Sequence, residues 1–226
     1  MVRWASEFIG TFSLVFFGTG AIVVADANPG MIPHFAVAAA FGLVVMTMIY
    51  AIGDLSGAHI NPAVTIAFWL ARRLPGRDVL PYAMSQLLGA LAASGVLRLA
   101  FPGHRTLGTT IPSIGIGAAL VFEILLTFVL MFVIIHVSQG AKEKGIMAGI
   151  AIGGTVALEA LVFGPLTGAS MNPARSIAPA LVSGMLNHQW IYILAPVIGA
   201  GLAILSCRIL RDRCCTILDA DGRNHA

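Results

Sequence analysis

The chain has 226 residues, of which 58% are hydrophobic and only 10% are charged, with a formal net charge of +3. A soluble domain is about a quarter charged. This composition therefore excludes a soluble monomer and points to one polytopic membrane domain. The small positive excess reflects basic residues that flank apolar segments, not a nucleic-acid surface.

A membrane span needs about twenty apolar residues. The first such segment covers about residues 4–25, too long for a signal-peptide core and without a convincing cleavage site. The second covers about 34–53. Residues 55–70 follow, apolar but short and broken by Gly and Pro, which predicts a re-entrant segment that does not cross. The third span covers about 79–101, and the stretch from Pro102 to Pro112 reads as an irregular loop. The fourth and fifth spans cover about 114–137 and 145–164. Residues 165–182 then repeat the short, broken character of 55–70. The sixth span covers about 189–210, and 211–226 form a polar tail. These boundaries give one membrane domain over 1–210, with one repeat over about 4–101 and a second over about 114–210.

Arg3, Arg72, Arg73, Arg77, Lys142, Lys144 and Arg208 share one side of this arrangement with the basic tail, while Arg98 and Arg105 lie on the other. Positive residues concentrate in the cytoplasm. Both termini are thus expected there, in keeping with an even number of spans, and the expected location is the inner (plasma) membrane. The three cysteines, Cys207, Cys214 and Cys215, cluster near the C-terminus and suggest free thiols, not a disulfide framework. No histidine pair has metal-ligand spacing, and no metal or cofactor is expected.

One octapeptide occurs twice. Ser56-Gly57-Ala58-His59-Ile60-Asn61-Pro62-Ala63 returns as Thr167-Gly168-Ala169-Ser170-Met171-Asn172-Pro173-Ala174. Glu7-x-x-x-Thr11 in span one is matched by Glu123-x-x-x-Thr127 in span four. Each half thus has three spans and one broken segment. Three is odd, so the halves have opposite orientation, the inverted-repeat plan of many transport proteins. The broken segments then enter from opposite faces and meet near the midplane. Pro suits the first helical position and Asn suits the N-cap. Asn61 and Asn172 should therefore cap two half-helices running outward from the centre. Each such end carries about half a positive charge. Two facing ends repel cations, while the Asn amides offer N–H donors to a neutral solute.

The same barrier operates in aquaporin-type pores, and the chain resembles the aquaporin, or major intrinsic protein, family over about residues 4–210. The resemblance rests on Gly57 to Thr65, on Gly168 to Ser176, and on Glu7 and Glu123. It implies an all-α membrane fold with six transmembrane helices and two re-entrant half-helices. It also implies a homotetramer embedded in lipid, with a separate pore in each subunit. The pore centre falls on Asn61, Pro62, Ala63, Asn172, Pro173 and Ala174. The family's narrow selectivity filter falls on Phe41, Ala160, Ala169 and Arg175. Glu7, Glu123 and His59 fall on positions that support the loops. Gly168 to Ser176 and Trp190 to Ile193 are most similar to the nodulin-type branch and its bacterial relatives. That branch is associated with glycerol, metalloid acids such as boric or arsenous acid, and ammonia, besides water.

Ala160 stands where water-selective members carry His, so the resemblance implies a wider, more apolar filter. The alternative is neutral drift in a strict water channel. Glycerol channels usually carry Gly there, two aromatics, and Asp after the pore Arg, where this chain has Ser176. Carboxylates within spans are costly and face the interior. Glu7 and Glu123 are therefore either loop anchors or, in a second class of function, the relay of a proton-coupled transporter. His59 reads either as a pore-lining structural residue or as a pH sensor. An enzyme has little support from the sequence, since no Ser or Cys has a credible base within its own segment. The leading expectation is a passive channel for water and small uncharged solutes that excludes ions and protons.

Overall fold

The structure, a computed structural model, describes residues 1–138 and 142–210, without the side chains of 142–145. The expected tail 211–226, and the side chains of Lys142 and Lys144, lie outside the described residues.

Eight helices make up the described chain: α1 (Val2–Ala27), α2 (His34–Ser56), α3 (Pro62–Leu70), α4 (Gly76–Ala100), α5 (Ile116–Val137), α6 (Lys142–Thr167), α7 (Pro173–Ser183) and α8 (Ile191–Leu210). Six of them are long and apolar enough to cross a membrane. The other two, α3 and α7, have 9 and 11 residues. At 1.5 Å per residue they reach only about 14 and 17 Å, roughly half of a 30 Å hydrocarbon core.

The ends of α3 and α7 follow from local chemistry. Asn61 accepts a hydrogen bond from the Ala63 N–H at 2.9 Å, and Pro62 occupies the first turn. Asn172 accepts from the N–H groups of Ala174 (3.0 Å) and Arg175 (3.4 Å), with Pro173 in the same place. Both helices thus begin where the sequence predicts.

The two halves pack in parallel fashion. In the first, α1 lies against α2 and α4; in the second, α5 lies against α6 and α8. The halves join along α2 and α6, and each half-helix crosses over: α3 packs on α8, and α7 on α4. Glycines set the closest approaches. Gly89 lies against the backbone of Phe8 and Phe12, and Gly199 against that of Ile124 and Phe128. Gly153 meets the Gly42 carbonyl, and Gly149 meets the Tyr50 ring. Gly95 and Gly154, by contrast, face open space.

The fold is apolar on the outside, with Ile9, Phe17, Leu99, Leu125, Leu158 and Leu205 exposed. Its polar groups are inside: Glu7, Thr11, Gln86, Glu123 and Ser176 have no exposed surface. Such inversion suits a chain whose surroundings are hydrocarbon. One reading needs correction. Cys207, expected to be a free thiol, is disulfide-bonded and sits 1% exposed near the end of α8.

Candidate functional site

The site is built on two loops, 57–60 and 168–171. Both trace the same unusual backbone. Gly57, Ala58 and Ile60 have φ of 88, 47 and 42°, and Gly168, Ala169 and Met171 have φ of 88, 40 and 53°. A β-branched residue at positive φ is strained. Such conformations persist only when their surroundings over-determine them.

Two buried carboxylates do this. Glu7 Oε1 accepts from the His59 N–H (2.9 Å) and the Ser56 hydroxyl (2.7 Å), and Oε2 accepts from the Ile60 N–H (2.7 Å). Glu123 repeats the pattern with Ser170 N–H (2.9 Å), Thr167 hydroxyl (2.7 Å) and Met171 N–H (2.9 Å). Tyr82 and Tyr192 donate to the carbonyls of Ser56 and Thr167. Gln86 adds a fourth donor to Glu7, at 2.7 Å, and also donates to Thr65.

The two caps also hold each other. Asn61 Nδ2 donates to the Met171 carbonyl, and Asn172 Nδ2 donates to the Ile60 carbonyl, both at 2.8 Å. The N-termini of α3 and α7 therefore face one another across the centre. One amide proton of each Asn is used in this crossing, a bond the sequence did not reveal. Pro62, Ala63, Pro173 and Ala174 form the first turns behind them.

A cavity of about 140 Å³ runs past this junction, lined by Asn61, Asn172, Val64, His59, Ala169 and Arg175 among others. A second cavity of about 540 Å³ forms a vestibule beneath the loop 106–111, next to Asp26 and His34. Phe41, Ala160 and Arg175 line both cavities, so they stand at the passage between them. Ala169 lines the central cavity just beyond. The four residues named from the sequence are thus brought together.

Arg175 is 2% exposed. Its Nη1 donates to the Gly108 carbonyl at 2.7 Å, and its guanidinium lies 5.0 Å from the centre of the Phe41 ring. Its Nε has no partner among the described residues. The loop that supplies Gly108 is pinned from below. The Thr110 hydroxyl donates to Ser176 Oγ at 2.8 Å, Ser176 shares a hydrogen bond with Ser170, and Gln189 donates to the Thr110 carbonyl. His59 is buried against the stacked ring of Phe68, with Nδ1 3.1 Å from the Thr65 hydroxyl.

The sequence reading passed over Tyr82, Gln86, Gly108, Thr110 and Glu159. Tyr-x6-Gly-Ala occurs at Tyr82–Ala90 and again at Tyr192–Ala200, so extending the repeat through the third span would have found the tyrosines. Nothing in the sequence ties the loop to Arg175. Glu159, beside Ala160, is 5% exposed and neither of its oxygens has a hydrogen-bond partner among the described residues. No group of three or more His, Cys, Asp or Glu among the described residues could hold a metal ion.

Comparison with known proteins agrees with this geometry. The chain matches the family model described as Major intrinsic protein over residues 2–206. It is 45% identical over 207 residues to Aquaporin NIP1-1 of Oryza sativa subsp. japonica, covering 91% of this chain and 73% of that protein. It is 47% identical over 199 residues to Nodulin-26 of Glycine max, covering 88% and 73%. Among solved structures it is similar to the aquaglyceroporin from Plasmodium falciparum, with a TM-score of 0.80 and 25% identity over 89% of this chain and 92% of that one. The chain belongs to the major intrinsic protein family.

Proposed function

We propose that this channel passes small uncharged polyols and acids of glycerol size as well as water, through a filter formed by Phe41, Ala160, Ala169 and Arg175. A membrane channel for water and small solutes, with no covalent step, follows from the family and its aquaporin relatives. The finer reading rests on one observation: Phe41, Ala160 and Arg175 are the residues that line both cavities. A solute moving between the cavities must pass them.

The chemistry of the passage has two sides. Arg175 presents a buried positive charge beside the facing N-termini of α3 and α7. Together they repel cations and offer donors to hydroxyl oxygens. Phe41 and the methyl groups of Ala160 and Ala169 supply an apolar wall for the carbon skeleton of a polyol. A methyl at 160, in place of a larger polar group, leaves the width that glycerol, boric acid or arsenous acid needs. The nodulin-type relatives and the aquaglyceroporin neighbour support that solute class.

Glu7 and Glu123 act as loop anchors. Each already accepts at least three hydrogen bonds from its own loop, which supports anchoring over a proton relay. His59 acts as a wall of the central cavity. Residues 1–210 form the channel domain, which assembles as a homotetramer in the plasma membrane. Both termini, including the tail 211–226, face the cytoplasm. The basic residues Arg3, Arg72, Arg73 and Arg77 on one side support that orientation.

Stopped-flow light scattering on proteoliposomes given an inward glycerol gradient tests the solute. The expected trace is rapid shrinkage followed by rapid reswelling. Rapid shrinkage with reswelling no faster than empty liposomes would make the protein a water-selective channel. Flux that collapses on adding an uncoupler would point to proton coupling instead.

A further inference from the structure

Phe41 is held in the filter by a partner on another helix. On α1, Gly18 is buried, and the space its side chain would take is filled by three atoms of one edge of the Phe41 ring. A Cβ added at Gly18 would lie 2.6 Å from Cδ1 and 2.8 Å from Cζ, and closer still to Cε1. No backbone atom is among these nearest contacts. The Arg175 guanidinium lies over the face of the same ring, 5.0 Å from its centre. Phe41 is thus bounded by Gly18 on one side and by the filter arginine on another.

A glycine inside a helix is destabilising relative to alanine. On α6, which packs against α2, Gly154 faces open space, where a methyl would meet nothing within 4 Å. At Gly18 the missing methyl is the space that the ring occupies.

We propose that Gly18 is a specificity-determining residue: it seats the Phe41 ring against α1 and so sets the width between Phe41 and Arg175. The proposal rests on Phe41 belonging to the filter. A methyl at position 18 pushes the ring off α1 toward the lumen. The narrowed passage rejects glycerol more than water, because the larger solute meets the ring first.

The test is water and glycerol permeability of purified protein in proteoliposomes, for Gly18→Ala, Phe41→Ala, the double variant and Gly154→Ala as a packing control. Gly18→Ala is expected to lower glycerol permeability about tenfold, equivalent to 1.4 kcal/mol of barrier, with water lowered about twofold or less. Phe41→Ala raises glycerol flux, and in its background Gly18→Ala has no further effect on the glycerol-to-water ratio. Gly154→Ala matches the parent. An unchanged ratio in Gly18→Ala, while Phe41→Ala raises it, overturns the role of Gly18 and leaves the filter standing. An unchanged ratio in Phe41→Ala overturns the filter reading itself. Loss of both fluxes in Gly18→Ala that Phe41→Ala does not rescue makes Gly18 a packing residue only, and overturns the proposal.

Discussion

The two halves of the molecule are alike where they hold the loops and unlike where they line the central cavity. Glu7 and Glu123 bind the same two successive N–H groups and the same preceding hydroxyl, and Tyr82 and Tyr192 cap the same carbonyl. At the position after Asn-Pro-Ala, however, the first half has Val64 and the second has Arg175. Where the first loop has His59, the second has Ser170. The shared part solves a problem of backbone satisfaction in lipid, which both loops face equally. The divergent part places a buried guanidinium on one side of the junction only.

Breaking the shared part has the largest expected effect. Glu123→Leu leaves the Thr167 hydroxyl and the Ser170 and Met171 N–H groups buried without acceptors. Each costs about 1–3 kcal/mol, against a total stability of about 5–15 kcal/mol. Loss of monodisperse protein in detergent is expected on size-exclusion chromatography. Glu123→Gln keeps one acceptor oxygen and should fall between that variant and the parent. A Glu123→Leu protein that elutes and melts like the parent would remove the anchoring role.

Erasing the divergence comes next. Arg175→Val gives the second half the residue of the first. The protein should fold, but proton leak should rise by about tenfold or more, a barrier change of at least about 1.4 kcal/mol. Decay of a pH gradient, read by a dye trapped in proteoliposomes, measures it. A parent-like leak would assign charge exclusion to the helix N-termini alone. Ala160→Trp then sharpens the size filter without touching charge. Glycerol flux should fall about tenfold and water flux less, while the pH gradient decays as in the parent. Unchanged glycerol flux would take Ala160 out of the filter.

The shared part was the legible part. Asn followed by Pro states its cap locally, and a doubled octapeptide in an odd-span repeat states its orientation. The six spans needed only length and hydropathy. What stayed hidden depends on long-range packing. Gly108 reaches Arg175 through a loop 67 residues earlier, by way of a backbone carbonyl that carries no side-chain signature. Gly18 matters through what it lacks. The crossed bonds from Asn61 and Asn172 join residues 110 and 112 positions apart. The proposed filter quartet rests on family resemblance, since nothing local marks Phe41 or Ala160 among so many apolar neighbours.

The smallest expected effect concerns a place where even the anchors differ. Gln86 donates to Glu7 Oε2 and to Thr65, while the matching place in the second half, counted from Tyr192 as Gln86 is from Tyr82, holds Pro196. Glu123 thus works without such a donor. Gln86→Leu removes two hydrogen bonds but also removes Gln86 Oε1, a buried oxygen with no partner among the described residues. The two changes oppose each other, so the net loss should be about 1 kcal/mol, or about 2–4 °C in melting temperature for a chain of this size. Water and glycerol fluxes should stay at parental values, because Gln86 lines neither cavity. A melting temperature equal to the parent's would make the two anchors equivalent in strength. A loss as severe as that of Glu123→Leu would mean that the first loop, with its β-branched Ile60 at positive φ, needs a donor that the second loop does not.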